Sequence, residues 1–488
     1  MNKLSKDVII SIVFSVLNVI FNFWLIQKAE YTFSIAHLTV FLYIRRIAPT
    51  FSNLFQLGTS QALIRYTSIY KEDKEKIKIY YLTSIFIWLI MTLLLVIIFV
   101  LFGKKLSQYF FTESKEALQY FKYTLLYIVS LHLGYIILPY FLNLRKILIY
   151  NIFQSAIASV IMLLVFMFFK QSIDIKMLYK YSLFVILSLL LSLLVYSVVK
   201  LKLYKFPDIP NKLLIGKNFI KYGLPRTVIT FSDMFLLTVG AILIHKEVKI
   251  IGGFLIGIAL SRVVLIVLQP ISLLSAVISG HANTEDKHQK IVNLLIGGTL
   301  YITIIVSVMM FNWIDILLPY WLKNNETIAL VIKIFKLLSL GLVPYALFQA
   351  LKSIIEIKFI KPLNLYALTV AIGLHILLYI ILQKKILVIQ AISISLMISF
   401  VSLGCFSLFW NRKYLKPHTY FKLIPLIILN TFLFIFNYII HLYYPTIIGF
   451  IFGSFISLVL YLIFIIKVKI EFIEETMNLF KIKTKKTK

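Results

Sequence analysis

The sequence predicts an all-α integral membrane protein of about fourteen transmembrane helices, arranged as two six-helix lobes in parallel repeat with a C-terminal helix pair appended. Three observations carry this prediction. The chain is 61% hydrophobic with only 14% charged residues and a mean hydropathy of +0.95. Apolar windows of about 20 residues, the length that crosses a bilayer, recur along the whole chain. Two of those windows echo each other in the two halves, and no polar stretch is long enough for a separate soluble domain.

The windows fall near 7 to 27, 33 to 58, 80 to 102, 122 to 143, 148 to 169 and 177 to 199 in the first group. The second group lies near 219 to 244, 250 to 279, 291 to 313, 332 to 352, 363 to 382 and 386 to 409, followed by a pair at 423 to 442 and 446 to 466. Lys3 and Lys6 precede the first window as in a signal peptide, but no small-residue cleavage pattern follows, so the run is read as the first helix. The longest outer loop is expected at about 104 to 121.

The repeat rests on the fourth and tenth windows. LHLGYIILPYFLNLRK (131 to 146) and LSLGLVPYALFQALK (338 to 352) both place Leu-x-Leu-Gly shortly before Pro-Tyr and end in a basic residue. Asn151 and Asn364 open the next helix in each half, and a shift of about 217 lays Arg262 on Arg45. Parallel six-helix repeats place a binding site between lobes, whereas Pro and Gly alone would only kink helices. The expected divisions are an N-lobe at 1–205, a C-lobe at 206–415, the extra helices at 416–466 and a basic cytoplasmic tail at 467–488. In that tail Ile473, Met477 and Phe480 recur at helical spacing, consistent with a short interfacial helix or with a solubilising end.

A formal charge of +31 invites a nucleic-acid reading, but its distribution argues for topology. The segments after the second, sixth and twelfth helices and the tail carry roughly twice as many Lys and Arg as the opposite side, which sets both termini in the cytoplasm. Such segments also meet anionic headgroups. The single cysteine, Cys405, permits no intramolecular disulfide.

Inside the apolar windows the polar residues form stripes. Ser11, Ser15, Asn18 and Asn22 share one face of the first helix, either bonding neighbouring helices or lining a cavity. Arg45, Ser52, Gln56 and Thr59 form one line in the second window, with Arg46 and Asn53 on the neighbouring line, the shape of a vestibule opening to the cytoplasm. An intramembrane arginine costs roughly 2.5–3.5 kcal/mol, and no Asp or Glu is expected in the core of the first six helices. The alternative for one arginine is to bond helix-end carbonyls or to snorkel. In the seventh helix Pro225 breaks the start, and Arg226, Thr230 and Asp233 share a face. Asp233 is the candidate for ion coupling or for pairing Arg226 or Arg262 across helices. In the eighth, Arg262 and Gln269 share a face beside the small residues Gly253, Gly257 and Ser261, a close-packing signal. His37, His132 and His375 have no metal-ligand spacing and read as buried imidazoles or as proton-coupling groups. The chain has no phosphate-binding GxxxxGK[ST] loop and no Ser-His-Asp or Asp-x-Asp arrangement, so it reads as a transporter and not an enzyme.

At YGLPR (222 to 226), with Arg262 and the paired Gly and Pro-Tyr segments, the chain resembles the polysaccharide biosynthesis flippases of the multidrug, oligosaccharidyl-lipid and polysaccharide exporter superfamily. The likeness spans the chain through helix count and paired halves. It implies a flippase for O-antigen or capsule repeat units, moving undecaprenyl-pyrophosphate-linked oligosaccharide to the outer leaflet of the bacterial cytoplasmic membrane by alternating access. Glycan polymerase and chain-length machinery would be its partners. The resemblance places Arg45 or Arg46 and Arg262 where related lipid II flippases carry cavity arginines. Those relatives also have Arg and Asp in the first helix, where this chain has Ser15, Asn18 and Asn22.

The residue chemistry agrees. A pyrophosphate needs fork-shaped cationic donors, here Arg45, Arg46, Arg226 and Arg262, and sugars need amides such as Asn18, Asn22, Gln56 and Gln269. No cofactor is expected beyond a coupling proton or sodium ion. The alternatives are a lipid II flippase, a cation-coupled multidrug exporter of the same architecture, and a membrane glycan polymerase or ligase.

Overall fold

The computed structural model of the protein describes residues 3–70, 72–111, 115–143, 146–169, 173–205, 211–266, 285–358, 361–468 and 470–474. The described regular structure is helical throughout. In order the helices are α1 (Lys3–Thr32), α2 (Ile35–Phe55), α3 (Thr59–Ile69), α4 (Lys74–Phe110), α5 (Ala117–Asn143), α6 (Ile147–Phe169) and α7 (Ile175–Leu201). There follow α8 (Lys212–Leu243), α9 (Val248–Ile266), α10 (Glu285–Trp321), α11 (Asn325–Lys358), α12 (Leu363–Leu382), α13 (Val388–Asn411), α14 (Leu423–Tyr443) and α15 (Ile447–Lys467). Among the described residues, the 12 helices α4 to α15 are each long and apolar enough to cross a membrane. α1, of 30 residues, and α2, of 21, correspond to the first two predicted windows.

Local chemistry sets several boundaries. Ser34, Asp73 and Asp174 cap α2, α4 and α7, each side chain accepting from the backbone N–H three residues on, which satisfies a donor that the first turn leaves open. The polar line predicted to run along the second helix as far as Thr59 is broken by a turn. The second helix, predicted over 33 to 58, ends at Phe55; the chain turns through Leu57 and Gly58, both at positive φ, and Thr59 opens the short helix α3. A hydropathy window could not show this, because the turn costs only three residues and α3 continues the same amphipathic composition. The outer loop is shorter than the predicted 104 to 121, since α4 runs on to Phe110 through Lys104 and Lys105. Hydropathy ends a window where charge begins, but the helix continues where backbone hydrogen bonding does.

The chain forms two compact units, Met1–Ile256 and Gly257–Lys488. In the first, α5 is central, packing against α2, α4 and α7, while α1 lies along α6 and α8 packs against α2, α3 and α4. In the second, α11 packs against α10 and α13, and the pair α14–α15 lies on α10. The fourth and tenth predicted helices thus hold comparable positions, each with a proline inside, Pro139 and Pro344. Asn151 and Asn364 are both buried, and Asn364 donates to the Lys352 carbonyl at 2.8 Å. The seventh helix, placed by the repeat at the start of the C-lobe, lies within the first compact unit.

The cores differ in character. In the first unit Tyr80, Tyr140, Phe141 and Phe219 surround Leu133, Ile137 and Leu190. In the second, Tyr301, Phe421 and Tyr461 join Leu351 and Ile354. The end of the chain contributes here: Ile470 and Phe472 are buried, and Phe472 covers Gly297 and stacks on Tyr301. Ile473 packs partly against this cluster, while Met477 and Phe480 lie outside the described residues. Rows of exposed Leu, Ile, Val and Phe on α4, α14 and α15, such as Val100, Ile428 and Phe455, present the apolar surface that lipid requires.

Candidate functional site

Arg45 sits on α2 at half-burial, ten residues into the helix. Its Nη2 donates to Asn22 Oδ1 on α1 at 2.6 Å and to the Ala158 carbonyl on α6 at 3.2 Å, and its Nη1 lies 3.5 Å from Met162 Sδ. The Phe41 ring is 5.6 Å away. The acceptor on α6 lies within the π-turn Ala156–Val160, in which the Ile161 N–H reaches back to the Ala156 carbonyl. Such a turn disturbs the i→i−4 ladder and releases a carbonyl inside an otherwise regular helix. Among the described residues no carboxylate lies within ion-pair distance of Arg45. Its guanidinium is held by neutral acceptors.

The α1 stripe borders this arginine. Asn22 is spent on it, whereas half-buried Asn18 keeps its buried Oδ1 without a hydrogen-bond partner. An unpaired buried acceptor costs roughly 1–3 kcal/mol, which a hydrogen-bond donor would relieve. Along α2 the polar line turns inward. Ser52, Asn53, Gln56 and Thr59 are all buried; Ser52 and Asn53 donate to the Pro49 carbonyl at 2.9 and 2.8 Å, and Gln56 Nε2 donates to Asn53 Oδ1 at 2.9 Å. Ser52, Asn53 and the Gln56 amide nitrogen thus bond within the protein where an open vestibule wall was expected, and Gln56 Oε1 and Thr59 Oγ1 are buried without a hydrogen-bond partner.

Arg46 and Asp233 are both half-buried and both make hydrogen-bonding or electrostatic contacts. α8, which carries Asp233, meets α2 through Thr238 and Thr50, whose hydroxyls are 2.9 Å apart, and through Phe231 against Phe51. The expectation that no acidic residue enters the core of the first six helices fails at Glu30, which is buried on α1. The predicted first helix stopped at 27, but α1 continues to Thr32 and carries Glu30 inside.

Arg226 folds back on its own helix, donating to the Tyr222 carbonyl at 3.1 Å, with its guanidinium 3.7 Å from the Tyr222 ring centre. Arg65 of α3, which sequence reasoning counted only as a topology charge, reaches the same ring at 4.5 Å and donates to the Tyr222 hydroxyl at 3.3 Å. Arg262 lies in the second compact unit and is exposed; its neighbour Ser261 is buried and donates to the Gly257 carbonyl. Gly257 admits Ile334 of α11, where an added Cβ would come within 2.7 Å, so the small-residue stripe serves packing there. Gln269 lies outside the described residues. His375 is buried with Nδ1 2.9 Å from the Ser395 hydroxyl and its Nε2 without a partner, and His132 is buried on α5.

At the end where α4 meets α5, a cavity of about 290 Å³ is lined by His37, Tyr43, Phe111, Lys115, Glu116 and His245, among others. Glu116 is ion-paired with Lys176 at 2.5 Å and accepts from the Tyr120 hydroxyl at 2.8 Å. The Lys176 hydrogen bond, aided by Tyr120, holds its carboxyl below the ordinary carboxylate range. No group of three or more potential metal ligands occurs among the described residues.

Fold and site together define a multi-pass helical membrane protein with a half-buried arginine held by neutral acceptors inside its first unit. The same fold is found in solved structures of the multidrug, oligosaccharidyl-lipid and polysaccharide exporter superfamily. The lipid II flippase MurJ, in an inward closed conformation, is similar over 94% of this chain and 97% of its own, with a TM-score of 0.73 and 17% identity. The Vibrio cholerae MATE transporter VcmN matches 84% of this chain and 96% of its own at a TM-score of 0.61 and 11% identity. The eukaryotic MATE transporter AtDTX14 matches 84% and 97% at 0.58 and 13%. At these identities the likeness is one of fold. No family model and no curated protein matches the sequence.

Proposed function

We propose that this chain is a lipid-linked oligosaccharide flippase, moving undecaprenyl-pyrophosphate-linked O-antigen or capsule repeat units from the cytoplasmic to the outer leaflet by alternating access. The carrying observation is Arg45, an intramembrane guanidinium held by neutral acceptors from α1 and α6 with no carboxylate beside it among the described residues. Such a cation is stabilised by an anionic ligand and repels a cationic one. Asn18, with its free acceptor, suits a sugar hydroxyl, and the polyprenyl tail can stay in lipid. An inside-negative potential favours outward movement of a bare negative charge by about 2.3 kcal/mol per 100 mV. Asp233 is the proposed group for proton or sodium coupling during the return step. The site of action is the bacterial cytoplasmic membrane with both termini inside, next to the polymerase and chain-length machinery.

A second reading is supported by the likeness to the lipid II flippase over almost the whole chain. Rescue of cells lacking their own lipid II flippase would select it, and failure to rescue together with transport of an oligosaccharide diphosphate would select the first. The multidrug reading has the MATE neighbours in its favour, but Arg45 and Arg226 would oppose a cationic drug. The deciding experiment is transbilayer movement of a fluorescent undecaprenyl-pyrophosphate oligosaccharide in proteoliposomes. Wild type should transport, and Arg45→Gln should lower the initial rate by at least about tenfold, the loss of one charge-assisted contact. Transport of a cationic dye with no movement of any lipid-linked glycan would overturn the flippase reading.

A further inference from the structure

We infer that Arg65, Tyr222 and Arg226 form a second anion site, a two-arginine clamp that takes a phosphate ester or pyrophosphate group at the end of the first unit where α2 turns into α3. It deepens the flippase reading and rests on it for its role as the place where the lipid-linked phosphate is first held. The binding chemistry itself stands on geometry alone.

The clamp is built by backbone. Gly58, at φ 73, lies against Gly223 so closely that a Cβ on Gly58 would fall 2.1 Å from the Gly223 carbonyl oxygen. This contact fixes the start of α3 on α8 one residue from Tyr222. Two turns along α3, Arg65 therefore reaches the Tyr222 ring from one helix while Arg226 reaches it from the other, at 4.5 and 3.7 Å from the ring centre. Tyr66 sets the ring's orientation, meeting it edge-on at 5.5 Å and donating to the Asn218 carbonyl at 3.4 Å. Tyr222 also fixes each arginine through an oxygen, its hydroxyl accepting from Arg65 and its carbonyl from Arg226.

Two guanidinium groups sharing one aromatic ring repel each other at a separation near or within the Debye length, ~8 Å at physiological salt. The ring quadrupole offsets part of that repulsion, but among the described residues no carboxylate lies within ion-pair distance of either. Lys217 and Lys221 on the same stretch of α8 are exposed and add positive charge. Only one donor nitrogen of each guanidinium is committed to Tyr222, so each fork keeps donors for a tetrahedral oxyanion. Arg65 is exposed and Arg226 half-buried; the pair spans the step from solvent to protein interior that an entering headgroup must make.

The test is protection of Arg65 from phenylglyoxal, read at that residue by peptide mass spectrometry. The full-length protein is compared in detergent, in phosphatidylcholine nanodiscs and in phosphatidylglycerol nanodiscs, with inorganic pyrophosphate or orthophosphate as probe. Pyrophosphate should protect Arg65 in detergent and in phosphatidylcholine, and Tyr222→Leu or Arg226→Gln should raise the half-protecting concentration by about tenfold, the value of one charge-assisted contact. Tyr222→Phe, which keeps the ring and is the safer variant for folding, should shift it less. Protection by phosphatidylglycerol without added phosphate assigns the same site to resident lipid headgroups and supports the clamp. Unchanged modification under every condition overturns it, as does protection indifferent to both Arg226→Gln and Tyr222→Leu. Because the readout is binding at Arg65, failure here leaves the Arg45 transport assay free to succeed or fail on its own.

Discussion

Arg45 donates to acceptors of three kinds, a side-chain amide, a π-turn carbonyl and a thioether, and Asn22 makes the shortest of these contacts. Asn22→Leu removes the acceptor and leaves the guanidinium one bond short, which should slow transport by about tenfold through loss of orientation. Asn22→Asp places a carboxylate where the 2.6 Å contact is made; the new ion pair should leave the fold intact and suppress transport further than Asn22→Leu, since it occupies the charge the substrate needs. Initial rates in proteoliposomes, with detergent-solubilised melting as the fold control, separate the two. Wild-type rates in Asn22→Asp would mean that Arg45 never meets an anion. The residue types at this site were legible in the sequence, because a charge in an apolar window is conspicuous wherever it occurs. Their partners were not: Asn22 read equally well as packing or as cavity wall, and Tyr222 gave no sign that it would hold two arginines.

At the scale of the element, glycines mark where helices meet or merely pass. Gly58→Ala would place a methyl in the left-handed region and into the Gly223 backbone, so it should destabilise by more than about 1 kcal/mol, detach α3 from α8 and abolish pyrophosphate protection at Arg65. Gly373 on α12 has nothing within 4 Å of a would-be Cβ, and Gly373→Ala should be neutral or stabilising by up to ~1 kcal/mol through helix propensity. Melting of the two variants in one detergent tests both, and a stable Gly58→Ala would remove the crossing as the device that builds the clamp. Windows of apolar residues located the spanning helices because spanning is a local requirement. They missed α3 and the π-turn of α6, since a left-handed glycine and one inserted backbone bond change geometry without changing composition.

For the whole molecule, ion pairs between helix ends add to what lipid-facing burial supplies. Glu116, between α4 and α5, is held below the ordinary carboxylate range chiefly by Lys176. Its stabilisation is therefore present above that ordinary value and lost as pH falls through the lower folded value. The melting temperature of wild type should exceed that of Glu116→Gln at neutral pH by a small margin, as partly exposed pairs contribute little, and the two should converge in acid. A constant difference down to low pH would exclude the pair as the cause. At this scale the twelve apolar helices long enough to span among the described residues and the paired prolines were legible in the sequence alone, because the bilayer imposes length and polarity on each segment independently. Tertiary structure decided which acceptors hold Arg45, that the seventh helix joins the first compact unit, and that Arg65 and Arg226 share a ring. Those depend on contacts such as Arg45 with Ala158, 113 residues apart, and a local pattern carries no information about what the folded chain brings beside it.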